Sequence, residues 1–302
     1  MPSDLEGVIC PIATPFTEDD NQVSESGLRY LVDGMIAAGI LGLIPCGSTG
    51  EFPALCIEER KHITEIVVDQ ARSRVPVIPH TGSTSTREAV ELSIHAEKAG
   101  AFAVMVVQPY YGAASYETVY GYFKDISDSI NIPIMVYNSP ACTGVNLRPS
   151  FLAQMGREIK SVRYVKDTTG DLAQFCELLY KYNQDITVLE GSDLLIFASL
   201  LHGSKTVSWG TANVMPHQCV ELFKLVQGGQ FHRAQELWCK LWPVVQFIET
   251  EGYVASVKAG ANLIGFRVGN PRRPLHPLSR EKTEQLKRLL TDVGAVTETE
   301  DG

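Results

Sequence analysis

The chain has no pair of cysteines at CxxC spacing. Its 7 cysteines, at positions 10, 46, 56, 142, 176, 219 and 239, are odd in number and scattered. That pattern supplies neither a zinc site nor a disulfide framework, and it fits thiols kept reduced in a cytosol. The opening MPSDLEGV lacks the basic and apolar stretches of a signal peptide. No apolar run approaches the roughly 18 residues of a membrane span. These two absences lead to the expectation of a cytoplasmic protein without a membrane partner. Basic blocks are also missing: 26 Lys and Arg stand against 35 Asp and Glu, a net charge of −9. That balance counts against a nucleic-acid backbone as partner, but not against a small anionic substrate. No GxGxxG loop follows an early strand, which counts against an open doubly wound sheet holding a dinucleotide. There is no internal repeat beyond the strand–helix rhythm and no low-complexity segment.

What is present is an ordinary globular composition, 44% hydrophobic and 20% charged over 302 residues. Apolar runs at residues 7–13, 40–46, 75–79, 101–107, 132–138, 162–166, 186–189 and 205–209 read as strands. Helical patterns follow most of them, with Ser24 as an N-cap and Gly39 as a stop for the first. An acidic turn, Glu18-Asp19-Asp20-Asn21, precedes that helix. Strands alternating with helices imply a parallel sheet, and continuous apolar strands imply that both faces are covered. About eight such units in this length is the count of a (β/α)8 TIM barrel. From Pro216 onward the strand signal stops and helical patterns continue. The expectation is a barrel over 1–215 and a helical C-terminal extension over 216–302, ending in the acidic tail TETEDG.

One stretch, Ser161 to Gly170 (SVRYVKDTTG), carries chemistry of its own. Side chains alternate along a strand, so Val162, Tyr164 and Lys166 are expected on one face. A lysine ending a strand usually reaches water, but burial disfavours its charged form, and a neutral amine attacks carbonyls. In a barrel the active site gathers at the strand C-termini. Those ends supply Gly47-Ser48-Thr49-Gly50-Glu51, Tyr110-Tyr111, Tyr137, Thr168, Gly191-Ser192-Asp193, Trp209-Gly210 and Asn213. The set holds one lysine, several hydroxyls and a glycine-rich turn, with no metal-ligand cluster and no histidine triad. The turn can hold a carboxylate with backbone N–H donors. Lys166 can form an imine with an adjacent ketone, and a tyrosine can shuttle protons. A 2-oxo acid held as a protonated imine supports C–C bond making or breaking, or loss of a β-hydroxyl.

These motifs together resemble the dihydrodipicolinate synthase / N-acetylneuraminate lyase family of class I, Schiff-base-forming aldolases and dehydratases. The likeness rests on TPF at Thr14, GSTGE at Gly47, PYY at Pro109, YNxPxxTG at Tyr137, VKDTTGD at Val165 and GSD at Gly191, and it covers nearly the whole chain. The resemblance implies a lyase with no cofactor beyond the substrate's own lysine imine, and a homotetramer built as a pair of dimers. Catalytic roles are implied for Lys166 as the imine lysine, Tyr137 as the proton-transferring phenol, Ser48 as a relay, and Tyr111 of a neighbouring subunit as its completion. Thr49, Gly47 and Gly50 would hold the substrate carboxylate. Thr168, Gly191, Asp193, Trp209, Asn213 and Cys142 would face the rest of the substrate. Synthases of this family carry an arginine where this chain has Cys142, and a thiol cannot grip a carboxylate in bidentate fashion. Neuraminate lyases carry an acidic residue where Leu194 stands. The sequence therefore favours a lyase of a 2-keto-3-deoxy sugar acid or related 4-hydroxy-2-oxo acid. The alternatives are a dihydrodipicolinate synthase with another carboxylate grip, a neuraminate lyase, and a non-catalytic 2-oxo acid binder. Joint retention of Lys166, Tyr137, Ser48, Thr49 and Tyr111 speaks against the last.

Overall fold

A computed structural model describes residues 5–18 and 21–296 of the chain. Asp19 and Asp20 of the acidic turn, the first four residues and the acidic tail lie outside the described residues. Seven parallel strands form one sheet: β1 (Gly7–Pro11), β2 (Gly42–Ile44), β3 (Val104–Val107), β4 (Ile134–Asn138), β5 (Val162–Asp167), β6 (Thr187–Glu190) and β7 (Thr206–Ser208). Their order is β2-β1-β7-β6-β5-β4-β3. Helices α1 (Glu25–Ala37), α2 (Ile57–Ala71), α3 (Thr86–Ala99), α4 (Tyr116–Ser129), α5 (Pro140–Thr143), α6 (Pro149–Glu158), α7 (Leu172–Lys181) and α8 (Ile196–Leu201) connect and cover them. The architecture is a (β/α)8 TIM barrel. It is followed by α9 (Pro216–Gln227), α10 (Phe231–Thr250), α11 (Tyr253–Leu263) and α12 (Arg280–Asp292).

The strand expected at residues 75–79 does not form a ladder. Residues 76–81 instead join the two edge strands. Leu43 N donates to Pro76 O (3.0 Å) and Ile78 N to Leu43 O (2.8 Å) on one side. On the other, Met105 N donates to Pro79 O (2.9 Å) and Thr81 N to Met105 O (2.8 Å). Pro76 and Pro79 have no N–H to give. Pairing is thereby reduced to isolated bridges, Leu43 with Val77 and His80 with Met105, and these complete the ring of strands.

Ile9, Ile44, Ile78, Met105, Met135, Tyr137, Tyr164 and Leu189 belong to one buried cluster. They come from successive strands of the ring and fill its interior in layers. Val162 is not among them; it packs outside, with Val165, Leu152 and Phe175. The expectation that Val162 shares a face with Tyr164 and Lys166 fails for a local reason. Ile134 lies opposite Val162, yet the next residue, Met135, lies opposite Tyr164. Arg163 is thus an extra residue that resets the alternation. Beyond the strand, Asp171 caps α7 by accepting from Ala173 N (2.9 Å) and Gln174 N (3.1 Å).

The C-terminal segment returns to the strand C-terminal end of the barrel. There Lys258 of α11 donates to Glu51 Oε1 (2.9 Å), with both side chains 1% exposed. Arg272 N donates to Glu51 Oε2 (2.8 Å), and Lys258 Nζ also reaches Asn270 O (2.9 Å). Burial pushes the Lys258 ammonium down to about 8, while Glu51 opposes that shift. Removing one partner of such a pair leaves a buried charge alone, at a cost of about 3–5 kcal/mol. Lys258→Met is therefore expected to lower the urea midpoint of unfolding by an amount equivalent to about 3 kcal/mol. An unchanged midpoint would show that the pair does not fasten this segment.

Candidate active site

Lys166 and Tyr137 are direct neighbours in the β4–β5 register. The Lys166 side chain points into the barrel and is 6% exposed. Its Nζ stands 4.8 Å from the centroid of the Tyr137 ring. Among the described residues no oxygen accepts a hydrogen bond from that amine and no carboxylate pairs with it. Gly191, at the end of β6, lies against the lysine chain. A β-carbon there would sit 2.7 Å from Lys166 Cε and would collide with Thr168 Oγ1. Glycine is required at 191 because the lysine and the threonine occupy the space of a side chain. Thr168 Oγ1 is itself buried and without a hydrogen-bond partner.

The GSTG turn after β2 faces the same region. It is bracketed by two non-glycine residues in the left-handed region, Cys46 (φ 57°) and Glu51 (φ 60°). Each such residue costs on the order of 1 kcal/mol and persists only where its surroundings fix it. Gly50 is closely packed, its missing β-carbon only 3.1 Å from Cys46 N and 3.2 Å from Ile12 O. Thr14 Oγ1 ties the turn down by donating to Gly50 O (2.7 Å). Among the described residues no protein oxygen accepts from the backbone N–H groups of Ser48 and Thr49. Two adjacent unsatisfied donors on a strained turn form a concavity suited to a carboxylate.

Ser48, Tyr137, Tyr110, Cys142 and Arg273 line one cavity of about 500 Å3. Phe52 packs edge-on beneath Tyr110, with ring centroids 5.6 Å apart. Cys142 reaches the cavity from α5, a single turn closed by Gly144 and not expected from sequence. Tyr111 is not part of this assembly: it is 93% exposed. The relay of Tyr137, Ser48 and Tyr111 is thus not assembled within one chain.

Three of the expected substrate contacts are structural instead. The Asp193 carboxylate is 2% exposed. It accepts from Gly210 N (3.0 Å), Thr211 N (2.7 Å) and Thr211 Oγ1, and Tyr253 Oη lies 3.4 Å away. Asn213 accepts from Ala13 N (3.0 Å) and donates to Pro11 O (2.9 Å) and Gly210 O (2.8 Å). Both side chains stitch the loop after β7 to its neighbours, and most of their hydrogen-bonding capacity is spent there. Trp209 is fully buried and lies 6.1 Å, centroid to centroid, from Trp238 of α10. Strand parity explains it. Val207 packs outside the barrel, so Ser208 faces inward and Trp209 outward again. Ser208 Oγ is buried without a partner; the alternation of residues 207–209 is the signal that would have picked it over the indole. Tyr253 and Arg273 were also missed. They come from the C-terminal segment, which no strand-end argument reaches, although two arginines inside a proline-rich run were a visible irregularity.

The carboxyls of Asp167 and Glu190, paired at the ends of β5 and β6, are unusual. Burial pushes Asp167 up to about 6 and Glu190 up to about 8. Glu190 Oε1 accepts from Gly191 N (3.0 Å) and Ser192 N (2.8 Å), which offsets only part of its lost hydration. A carboxyl whose folded pKa lies above its unfolded value of 4.5 binds its proton more tightly when folded. Its contribution to stability is complete below that value and is lost as pH rises toward 8. Glu190→Gln keeps the acceptor and removes the titration. The variant is expected to lose less thermal stability than the parent between about pH 5 and pH 8. Parallel pH profiles would show that Glu190 does not titrate in this range.

A barrel of this kind, with a shielded lysine and an anion cradle at its strand ends, defines a class I lyase, working through a lysine Schiff base. Comparison with known proteins makes the assignment specific. The chain belongs to the dihydrodipicolinate synthetase family, whose model matches residues 4–293. Enzymes of this family use a lysine Schiff base with pyruvate and no metal or other cofactor. The 4-hydroxy-tetrahydrodipicolinate synthase of Methanopyrus kandleri is 37% identical over 97% of this chain and 98% of its own length. The crystal structure of a chloride-inhibited dihydrodipicolinate synthase from Acinetobacter baumannii, complexed with pyruvate, superposes with a TM-score of 0.91. It is 30% identical, covering 96% of this chain and 99% of that one. A prophage protein of E. coli K12 from the same family, also in complex with pyruvate, gives a TM-score of 0.91 at 33% identity, over 97% and 100% of the two chains. Among the described residues no helix is long and apolar enough to cross a membrane.

Proposed function

We propose that this chain condenses pyruvate, held as an imine on Lys166, with aspartate semialdehyde, the activity of a 4-hydroxy-tetrahydrodipicolinate synthase. The observation that carries the reading is the Lys166 amine, shielded, with no acceptor among the described residues and facing the ring of Tyr137, which shares a cavity with Ser48 of the GSTG turn. The relatives supply the second substrate. They reverse the order favoured by sequence, in which a sugar-acid lyase came first because of Cys142. In this reading the pyruvate carboxylate lies on the N–H groups of Ser48 and Thr49. The Lys166 amine attacks the ketone carbon, a molecule of water leaves, and a protonated imine forms. Loss of a methyl proton gives the enamine, whose carbon attacks the aldehyde carbon. Tyr137 moves the protons that these steps release and require. The amine of the semialdehyde then attacks the imine carbon, closing the ring and expelling Lys166. The balance is one C–C bond and one ring bond formed for one water lost. Tyr111, 93% exposed, belongs to the proposal as the group that a neighbouring subunit of a homotetramer would lend to Ser48.

A second reading, cleavage or dehydration of a 2-keto-3-deoxy sugar acid, is favoured by Cys142 and by the unpartnered hydroxyls of Thr168 and Ser208. One set of assays separates the two. Pyruvate and aspartate semialdehyde are expected to be consumed together, and borohydride with pyruvate is expected to add a reduced adduct to Lys166. Lys166→Ala should lose both the adduct and turnover while keeping its fold. Tyr137→Phe should slow turnover by at least about a hundredfold. Full activity in Lys166→Ala would sink the mechanism. Release of pyruvate from a 2-keto-3-deoxy sugar acid, with the semialdehyde untouched, would establish the second reading.

A further inference from the structure

Cys142 leaves the cavity without a guanidinium on the α5 side, yet the same cavity is lined by Arg273 from the far end of the chain. The two adjacent arginines there are used in opposite ways. Arg272 is fully engaged: its guanidinium forks onto Glu59 (2.6 and 2.8 Å) and donates to Asn21 O and Ala54 O. Its backbone N–H is held by the buried Glu51 carboxylate. Arg273 is exposed, and among the described residues no carboxylate lies within ion-pair range of it. Its Nη1 contacts only the His276 ring (2.8 and 2.9 Å). A guanidinium has five N–H donors, so most of its capacity is open. Its backbone is nevertheless fixed, one residue from an anchor that is itself locked to the GSTG turn. An unpaired, planar, permanently charged donor set at the mouth of a small-molecule cavity suits one kind of ligand group, a carboxylate.

We infer that Arg273 grips the carboxylate of the aldehyde substrate and sets specificity for an anionic electrophile. The inference deepens the synthase reading and rests on it for the identity of that aldehyde. It also answers the objection raised by Cys142, since the grip enters from the C-terminal segment instead of from α5.

The test compares binding of succinic semialdehyde, which carries the carboxylate, with that of butanal, which is of the same length and uncharged. Calorimetric titrations use the enzyme as purified and the enzyme after reduction of its pyruvate adduct. The wild-type chain is expected to bind the anionic aldehyde more tightly. Arg273→Gln should weaken that binding about tenfold to a hundredfold, the loss typical of a charge-assisted hydrogen bond, and leave butanal unchanged. Arg273→Lys should recover part of the difference. Equal binding of the two aldehydes by the wild type, an unaffected Arg273→Gln, or an equal loss on both aldehydes would each overturn the inference. Charge-dependent binding through Arg273 with no condensation of aspartate semialdehyde would uphold the grip and reject the synthase reading alone.

Discussion

Everything at the top of this barrel depends on a buried carboxylate, that of Glu51. It closes the GSTG turn in a left-handed conformation, which the chain would not hold unaided. Two contacts from outside the barrel keep it there, the Lys258 ammonium and the Arg272 backbone N–H. The same bonds therefore serve three ends. They stabilise a strained turn, they hold Ser48 at the wall of the cavity, and they lock residues 270–272 onto the site. The aromatic ring of Phe16 reinforces the knot, with Lys258 Nζ 4.0 Å and the Arg272 guanidinium carbon 4.2 Å from its centroid. A turn with an anion cradle and a tail with a free arginine are thus parts of one electrostatic unit.

Lys166 sits in a second field. Asp193 accepts from the donors of the 210–211 turn, and the charge of Lys166 works against the burial that raises the pKa of Asp193. Glu190 does not face the lysine: Leu189 is the residue of β6 that lies opposite Lys166 and packs inside the barrel, so Glu190 turns outward, where burial pushes its carboxyl up to about 8. What touches the lysine chain is the loop that follows β6. Gly191 belongs to the same arrangement, since only the smallest residue lets that loop lie against the lysine chain.

Much of this was legible in the residues. The positions of the lysine, the tyrosine and the GSTG turn at strand ends follow from the strand–helix rhythm, because those signals are local. The errors also have local causes. Arg163 adds one residue to β5 and turns Val162 outward, which no hydropathy pattern announces. Prolines at 76 and 79 keep a strand's position while denying it a ladder. Proximity to a strand end suggests the pocket for Trp209, whereas parity turns the indole outward and Ser208 inward. Asp193 and Asn213 looked like substrate ligands because they are polar and near the site. Their partners, Thr211, Ala13 and Pro11, are bonds across sequence distances that a linear reading does not reveal. The placement of Tyr253 against Asp193 and of Arg273 at the cavity is hidden from it for the same reason.

The division of the site into halves explains why motif and overall similarity ranked the substrates differently. In the proposed reaction Lys166, Tyr137, the GSTG turn and Gly191 all serve the 2-oxo acid, the reactant common to every lyase of this chemistry. They identify the class with great specificity and are silent about the electrophile. Discrimination falls to the other half, formed by α5 and the loop before α12, where a single guanidinium is worth more than any number of shared strand residues. Reading that half from position 142 alone gives a pocket without a cation. Once the fold brings residue 273 to the same cavity, the charge lost at one position reappears at another. A carboxylate needs only the guanidinium and its geometry, and is indifferent to which element of the chain delivers it.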